Sequence, residues 1–142
     1  MHPEEYYPQV TVSGLVVAND GDILLIRSKE WNDHYALPDG KVHLGEAREP
    51  ALCHALKEKC GLEVVSVQYA LTIDSIFSDE YYRRSHFVIH EYVCKLSALQ
   101  TKEDVLLQDD SDDFVWVPPF EAQKLLLTKE AQVFIQWYIY RS

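Results

Sequence analysis

The chain has 142 residues, of which 47% are hydrophobic, and a formal net charge of -10 at neutral pH. This apolar share excludes a disordered chain and suffices for one compact core, so we expect a single domain over residues 1–142. The acidic balance disfavours a nucleic acid polymer as partner, because proteins hold phosphate backbones with an excess of Lys and Arg. It does not exclude a small phosphorylated ligand.

Membrane and secretory proteins are also disfavoured. The first residues, MHPEEYYPQ, lack the apolar segment of a signal peptide, and no apolar run has the ~18 residues of a membrane span. The three cysteines show no CxxC spacing and are typical of reduced thiols. We therefore expect a cytoplasmic protein that binds no membrane.

Strands and helices are mixed along the chain, with helices after strands and several hairpins, which suggests an α+β protein with a mixed sheet covered by helices. In chain order we expect strands at 10–18 and 23–27, a helix at 46–59, strands at 62–73, 86–96 and 114–117, a short helix from Pro118-Pro119 to 127, and a last helix at 130–140. The sequence Asn19-Asp20-Gly21-Asp22 predicts a hairpin turn between the first two strands, because Asn, Asp and Gly tolerate positive φ.

The most informative segment covers residues 37–62, with the sequence LPDGKVHLGEAREPALCHALKEKCGL. We expect a glycine turn at Pro38-Asp39-Gly40 and then a helix with an apolar stripe. Gly61 is expected to end this helix in a left-handed cap.

This segment resembles the box of the Nudix family, G-x5-E-x7-R-E-U-x-E-E-x-G-U, where U is a bulky aliphatic residue. The matching positions are Gly40, Glu46, Leu56, Glu58, Gly61 and Leu62. The departures are His54 and Ala55 in place of Arg-Glu, and Lys59 in place of the last Glu. Residues 12–27 and 114–118 are also similar to the family's opening hairpin and late strand, so the resemblance covers nearly the whole chain.

The resemblance implies an α/β/α sandwich that cleaves nucleoside diphosphates linked to another moiety. In active members, carboxylates of the box helix hold Mg2+ or Mn2+, and the ions neutralise the pyrophosphate and activate a water. Helix positions i, i+3 and i+4 share one face, so residues 55, 58 and 59 would form the cluster of oxygen ligands that these ions require. Here only Glu58 keeps its carboxylate, and Lys59 adds a charge that repels a metal.

The candidate catalytic and metal-binding residues follow from this frame. We expect Glu58, Glu46 and His54 to hold the metal, with Glu58 also catalytic. Some family members take a general base or an extra ligand from the loop before the late strand, where Asp112 and Asp113 lie in this chain. The alternatives are a Glu58 that is merely exposed, a His54 hydrogen-bonded to Glu46 or Glu58, and a solvated acidic loop.

Substrate contacts are expected near the predicted turn. Arg27 and Lys41 are candidates to meet phosphates, and Tyr35 is a candidate to stack on a base. The alternatives are surface charges and core packing. Further candidates of the same two kinds are Lys29, Arg83, Arg84, Phe77, Tyr81 and Tyr82.

We therefore predict a metal-dependent hydrolase of a nucleoside diphosphate-linked small molecule, with activity reduced or altered because Ala55 and Lys59 replace two box carboxylates. The alternative is a catalytically inactive Nudix domain that binds a nucleotide-like ligand or a protein partner. The aromatic face of the last helix could also dock on a second copy to give a homodimer, with core packing as the alternative. Its residues are Phe134, Trp137, Tyr138 and Tyr140.

Overall fold

The computed structural model describes residues 7–109 and 112–141. The strands are β1 (Gln9–Val17), β2 (Ile23–Arg27), β3 (Tyr35–Ala36), β4 (Asp39–Lys41), β5 (Val64–Ile76), β6 (His86–Leu96) and β7 (Asp113–Val117). The helices are α1 (Arg48–Cys60), α2 (Pro119–Ala122) and α3 (Lys129–Tyr140). None of these helices has the length and apolar character needed to cross a lipid bilayer.

The strands form one mixed sheet. Its main path has the order β3-β2-β1-β6-β5, and in addition β4 pairs with β1 and β7 pairs with β2. Strands β1 and β6 run parallel, from Gln9 opposite Phe87 to Val17 opposite Lys95, whereas the other strand pairings are antiparallel. The mixed sheet confirms the predicted α+β class.

Helices cover both faces of the sheet. Because successive side chains of a strand point to opposite faces, β1 contributes to two cores. Val12 and Val16 pack in one cluster with Leu52 of α1, whereas Leu15 packs in the other with Phe134 of α3. The α/β/α sandwich implied by the family resemblance is thereby confirmed, with α1 on one face and α2 and α3 on the other.

The turn predicted at Pro38-Asp39-Gly40 is wrong. Residues Asp39–Lys41 form β4, in which Gly40 lies opposite Val12 of β1, and the φ of Gly40 is not positive. The glycine is required for close packing instead, because a Cβ atom at Gly40 would lie 2.4 Å from the Cβ of Ala55. Gly40 thus allows α1 to approach the sheet and does not reverse the chain.

The two other glycine predictions are confirmed. Gly61 ends α1 with a φ of 69°, and its N–H donates to the Lys57 carbonyl at 3.0 Å. Gly21 has a φ of 92° in the turn between the antiparallel strands β1 and β2. In both places the backbone takes a conformation that only glycine adopts at little cost.

The largest error in element bounds concerns the helix predicted from Pro118 to residue 127, since α2 ends at Ala122. The following segment pairs with β3: the Tyr35 N–H donates to the Leu126 carbonyl at 2.7 Å, and the Thr128 N–H donates to the Tyr35 carbonyl at 3.0 Å. Backbone groups used in this pairing are no longer free to continue a helix.

Helix α3 is packed at its start and exposed towards its end. Thr128 caps the helix by accepting a hydrogen bond from the Ala131 N–H at 3.1 Å. Phe134 is fully buried, as the core-packing alternative requires, whereas Trp137 and Tyr140 are 37% and 67% exposed. The homodimer through this face stays a prediction.

Candidate functional site

Glu46 lies just before α1 and is held by its own loop. The backbone N–H of His43 donates to Glu46 Oε1 at 3.2 Å, and Nδ1 of the His43 ring lies 3.3 Å from the same oxygen. The backbone hydrogen bond is the main reason that the pKa of Glu46 lies below its ordinary value. Glu46 is therefore a fixed, ionised carboxylate near the N-terminus of α1.

His54 lies between Glu46 and Glu58, so the structure brings together the three predicted metal ligands. Nδ1 of His54 lies 3.7 Å from Glu46 Oε2, and its Nε2 lies 3.9 Å from Glu58 Oε2. His54 and Glu58 are one helical turn apart, and their side chains are 69% and 59% exposed. The two ring nitrogens of His54 face different carboxylates. The three side chains therefore do not converge on one point.

This arrangement does not fit a divalent metal. Mg2+ requires near-octahedral oxygen ligands at about 2.1 Å, so several carboxylates must converge on one point. No group of three or more His, Cys, Asp or Glu side chains within residues 7–109 and 112–141 is arranged to hold a metal ion. The metal-ligand roles predicted for Glu46, His54 and Glu58 are therefore not supported by the geometry, because the helix lacks carboxylates at Ala55 and Lys59.

The face of α1 that carries Ala55 and Lys59 lies against β4. Ala55 is only 9% exposed and contacts Gly40, so this position offers packing and no ligand atom. Nζ of Lys59 lies 3.8 Å from Oδ1 of Asp39. Both side chains of this ion pair are about half exposed, so the pair adds little to stability. Its consequence is a fixed positive charge beside the carboxylate of Asp39.

A cavity of about 200 Å³ opens beside this ion pair. Trp31 and Leu37 contribute apolar walls, and Lys59 is the one cation among the described lining residues. Small-molecule pockets usually have volumes of roughly 300–1,000 Å³, so this cavity accommodates only part of a nucleotide-sized ligand. The remaining polar lining includes Ser28, Glu30, Asp39, Gln108, Asp109 and Asp112.

The carboxylates of this cavity repel one another. Partial burial in the cavity wall is the main cause that raises the pKa of Asp39 and of Asp112, and the charge of Glu30 raises both further. Asp109 also raises the pKa of Asp112, whereas Lys59 lowers the pKa of both acids. Lys59 therefore offsets part of the negative charge around Asp39 and Asp112.

The two predicted catalytic aspartates have different surroundings. Asp112 lines the cavity, whereas Asp113 accepts a hydrogen bond at 2.8 Å from Nη2 of Arg27, its partner across the β2–β7 pairing. Asp113 is thus engaged in an ion pair on the sheet. Asp110 and Ser111, the middle of the predicted acidic loop, lie outside the described residues.

The predicted substrate-binding residues do not line this cavity. The Arg27 guanidinium is bound to Asp113, which raises the pKa of Arg27, and lies 5.7 Å from the centre of the Tyr35 ring. Lys41 is exposed at the end of β4. The contacts of Arg27, Lys41 and Tyr35 with a substrate stay predictions. They require a ligand that extends beyond the cavity.

Sequence reasoning missed several residues of this region. Glu30, Trp31 and Asp39 line one cavity with Lys59 only because distant segments fold together, and no local pattern indicates this. Glu91 had a visible signal, since it is a charged residue on the same strand face as Phe87 and Ile89. It is only 2% exposed, and burial raises its pKa to about 8.

Comparison with known proteins gives one match by family and several by fold. The NUDIX domain model matches residues 7–138. No curated protein sequence matches significantly. A MutT NUDIX hydrolase of Burkholderia pseudomallei superposes with a TM-score of 0.73 at 22% identity, covering 92% of this chain and 97% of that one.

Two further solved structures have the same fold. The NUDIX domain of Shewanella oneidensis NrtR, in complex with ADP ribose, has a TM-score of 0.76 at 19% identity and covers 99% of this chain and 93% of that one. A MutT protein of Methanosarcina mazei Go1 has a TM-score of 0.76 at 18% identity and covers 94% and 95%. The family model spans most of the chain, and Glu46, Glu58 and Gly61, in and around the box helix, keep the family's spacing, so the chain belongs to the NUDIX domain family.

Proposed function

We propose that this chain binds a small nucleoside diphosphate-linked molecule and hydrolyses its phosphoanhydride bond far more slowly than a Nudix site with all its box carboxylates. The observation that carries this proposal is the composition of α1. Glu58 is retained, but Ala55 packs against Gly40 and Lys59 pairs with Asp39. The Mg2+ or Mn2+ dependence of any remaining hydrolysis is inferred from the family alone.

The expected loss of rate follows from charge. A bound divalent ion contributes several kcal/mol of charge stabilisation to the transition state, and each 1.36 kcal/mol corresponds to a factor of ten in rate. Losing two of its helix ligands should therefore lower turnover by roughly 10³-fold or more. The ligand class is supported by the fold, since a NUDIX domain of the same architecture is seen with ADP ribose.

The test combines a binding screen with a turnover screen. ADP-ribose, nucleoside triphosphates and dinucleoside polyphosphates would be titrated into the protein calorimetrically, and phosphate or nucleotide release would be followed with Mg2+ and with Mn2+. We expect binding of at least one compound and slow release that Glu58→Gln lowers. Glu63→Gln, at an exposed Glu that pairs with Lys57, is the matched control and should leave release unchanged.

Each outcome of these screens decides between two functions. Binding without any release, in wild type and variants alike, would favour the second candidate, a non-catalytic binding domain. The ion pair between Lys59 and Asp39 specifically favours that candidate, because the Lys59 ammonium occupies a position where the family has a carboxylate. No binding of any compound by the folded protein would refute both proposals.

A further inference from the structure

Residues 28–34, which we call the wall segment, form one side of the 200 Å³ cavity and contribute Glu30 and Trp31 to its lining. Within this segment Asn32 and Asp33 have φ values of 51° and 64°. Asn and Asp tolerate the left-handed region better than most residues, but two in succession are strained and persist only where surrounding contacts hold them. The shape of the cavity therefore depends on what holds the wall segment.

The wall segment is held by the loop of residues 77–85, which joins β5 to β6 and which we call the tip loop. The Tyr82 N–H donates to the Glu30 carbonyl at 2.8 Å. Nδ2 of Asn32 donates to the Glu80 carbonyl at 3.0 Å. Both bonds join the wall segment to the backbone of the tip loop, so a shift of the tip loop would move the cavity wall with it.

Trp31 depends on the same loop. The centre of its ring lies 4.6 Å from that of Tyr81 in the tip loop and 6.1 Å from that of Phe87 in β6. Nδ1 of His34 lies 2.9 Å from the Trp31 carbonyl oxygen, which can only accept, so this nitrogen carries the hydrogen and donates. Trp31 is only 8% exposed, and it therefore keeps its place in the wall through packing against the tip loop and β6.

The tip loop is anchored in turn by the side chain of Glu80, which is only 14% exposed. Its Oε1 accepts a hydrogen bond from the Lys129 N–H at 2.9 Å. Lys129 is the first residue of α3, where an N–H has no partner within the helix and a carboxylate is favoured by the helix dipole. Oε2 of Glu80 lies 3.8 Å from Nε2 of His34. One carboxylate thus contacts both α3 and the wall segment.

We propose that Glu80 is a positioning residue for the ligand of the 200 Å³ cavity. Its carboxylate fixes the tip loop to α3, and the tip loop fixes Glu30 and Trp31 in the cavity wall. Glu80 itself does not line the cavity, so it acts on the ligand only through these neighbours. This inference rests on the proposed function and adds the contact that keeps the binding site in shape.

The test measures the order of the wall segment and ligand affinity in the same variants. Hydrogen–deuterium exchange would follow the amides of residues 29–34, and ADP-ribose, nucleoside triphosphates and dinucleoside polyphosphates would be titrated calorimetrically. In Glu80→Ala we expect exchange in this segment to be about tenfold faster or more, and affinity about tenfold lower or more, with exchange in α1 unchanged. Glu80→Gln keeps an oxygen that can accept the Lys129 N–H, so its affinity should stay within about threefold of wild type.

Two controls separate positioning from a general loss of stability. Asp79→Asn changes the neighbouring acid of the tip loop, which is 84% exposed and lies 3.6 Å from Nζ of Lys129. Ile135→Val shortens a fully buried side chain of α3 and should lower stability by loss of packing. Both variants should keep wild-type affinity and wild-type exchange in residues 29–34.

The outcomes distinguish this inference from the function on which it rests. Unchanged exchange in Glu80→Ala, or faster exchange with wild-type affinity, would overturn it. A loss of affinity that Ile135→Val shares would also overturn it, because the effect would then follow stability alone. If no compound binds wild type, the proposed function fails and the ligand role of Glu80 with it, whereas the exchange data still decide whether Glu80 fixes the wall segment.

Discussion

Replacing Glu91 by glutamine is expected to stabilise the protein in a strongly pH-dependent way. Burial is the main cause that raises the pKa of Glu91 to about 8, with further contributions from Asp39 and Glu130, whereas the ordinary value is 4.5. Between these two values the folded chain keeps a proton that the unfolded chain releases. Stability therefore falls as the pH rises from about 4.5 to about 8, by up to roughly 5 kcal/mol in total.

Glutamine cannot ionise, so the stability of the variant does not fall in this way as the pH rises. Urea unfolding at pH 5 should give similar stabilities for Glu91→Gln and wild type, and at pH 8 the variant should be more stable by several kcal/mol. The control Glu121→Gln, at an exposed residue of α2 that pairs with Lys124, should follow the wild-type curve of stability against pH. Parallel curves for Glu91→Gln and wild type would mean that Glu91 is ionised in the folded chain at neutral pH, and the prediction would then be wrong.

Replacing Gly40 by alanine is expected to destabilise the protein by about 2–3 kcal/mol or more. The new Cβ would lie 2.4 Å from the Cβ of Ala55, and neither atom can rotate away because both are bonded directly to backbone. Helix α1 and strand β4 must therefore move apart. Equilibrium unfolding in urea measures the effect.

Two further variants test the cause. Gly14→Ala places its Cβ 3.2 Å from the end of the flexible Leu52 side chain, so it should destabilise the protein clearly less than Gly40→Ala does. In the double variant Gly40→Ala/Ala55→Gly the second change removes the clashing Cβ atom and should recover part of the lost stability. The recovery is reduced by the cost of about 1 kcal/mol for a glycine inside a helix. A Gly40→Ala protein as stable as wild type would rule out the close contact.

Elements whose cause is local could be predicted from the sequence. The bounds of β2 and β6 were predicted correctly because each is an apolar or alternating run between turn residues. Gly61 was recognised because a glycine after an amphipathic helix has one usual role. The family resemblance then supplied the sandwich architecture that periodicity alone does not specify.

The errors concern contacts between distant segments. Gly40 was expected to form a turn because Pro-Asp-Gly is typical of one, but the approach of α1 to β4 requires a glycine for a different reason. The pairing of Lys59 with Asp39 joins a helix to a strand and has no local signature. Glu91 alternates with the apolar residues Phe87 and Ile89 along β6, but its burial with an unpartnered oxygen is visible only in the structure.

The site of this chain differs from the family pattern in charge as well as in ligand count. Lys59 stands in an acidic environment formed by Glu30, Asp39 and Asp112, and it lowers the pKa of both aspartates. A cation covalently attached to the chain neutralises part of this charge without a metal. We therefore expect α1 to bind divalent ions much more weakly than a Nudix helix with all its box carboxylates.

A titration of Mn2+, with free Mn2+ followed by electron paramagnetic resonance, tests this loss of affinity most directly. Wild type would be compared with Ala55→Glu/Lys59→Glu, which restores both box carboxylates, and with Lys57→Glu, which adds negative charge to α1 outside the box positions. We predict that wild type and Lys57→Glu bind Mn2+ only in the millimolar range, and that the double variant binds it at least tenfold more tightly. Micromolar binding by wild type that Glu58→Gln abolishes would contradict this prediction.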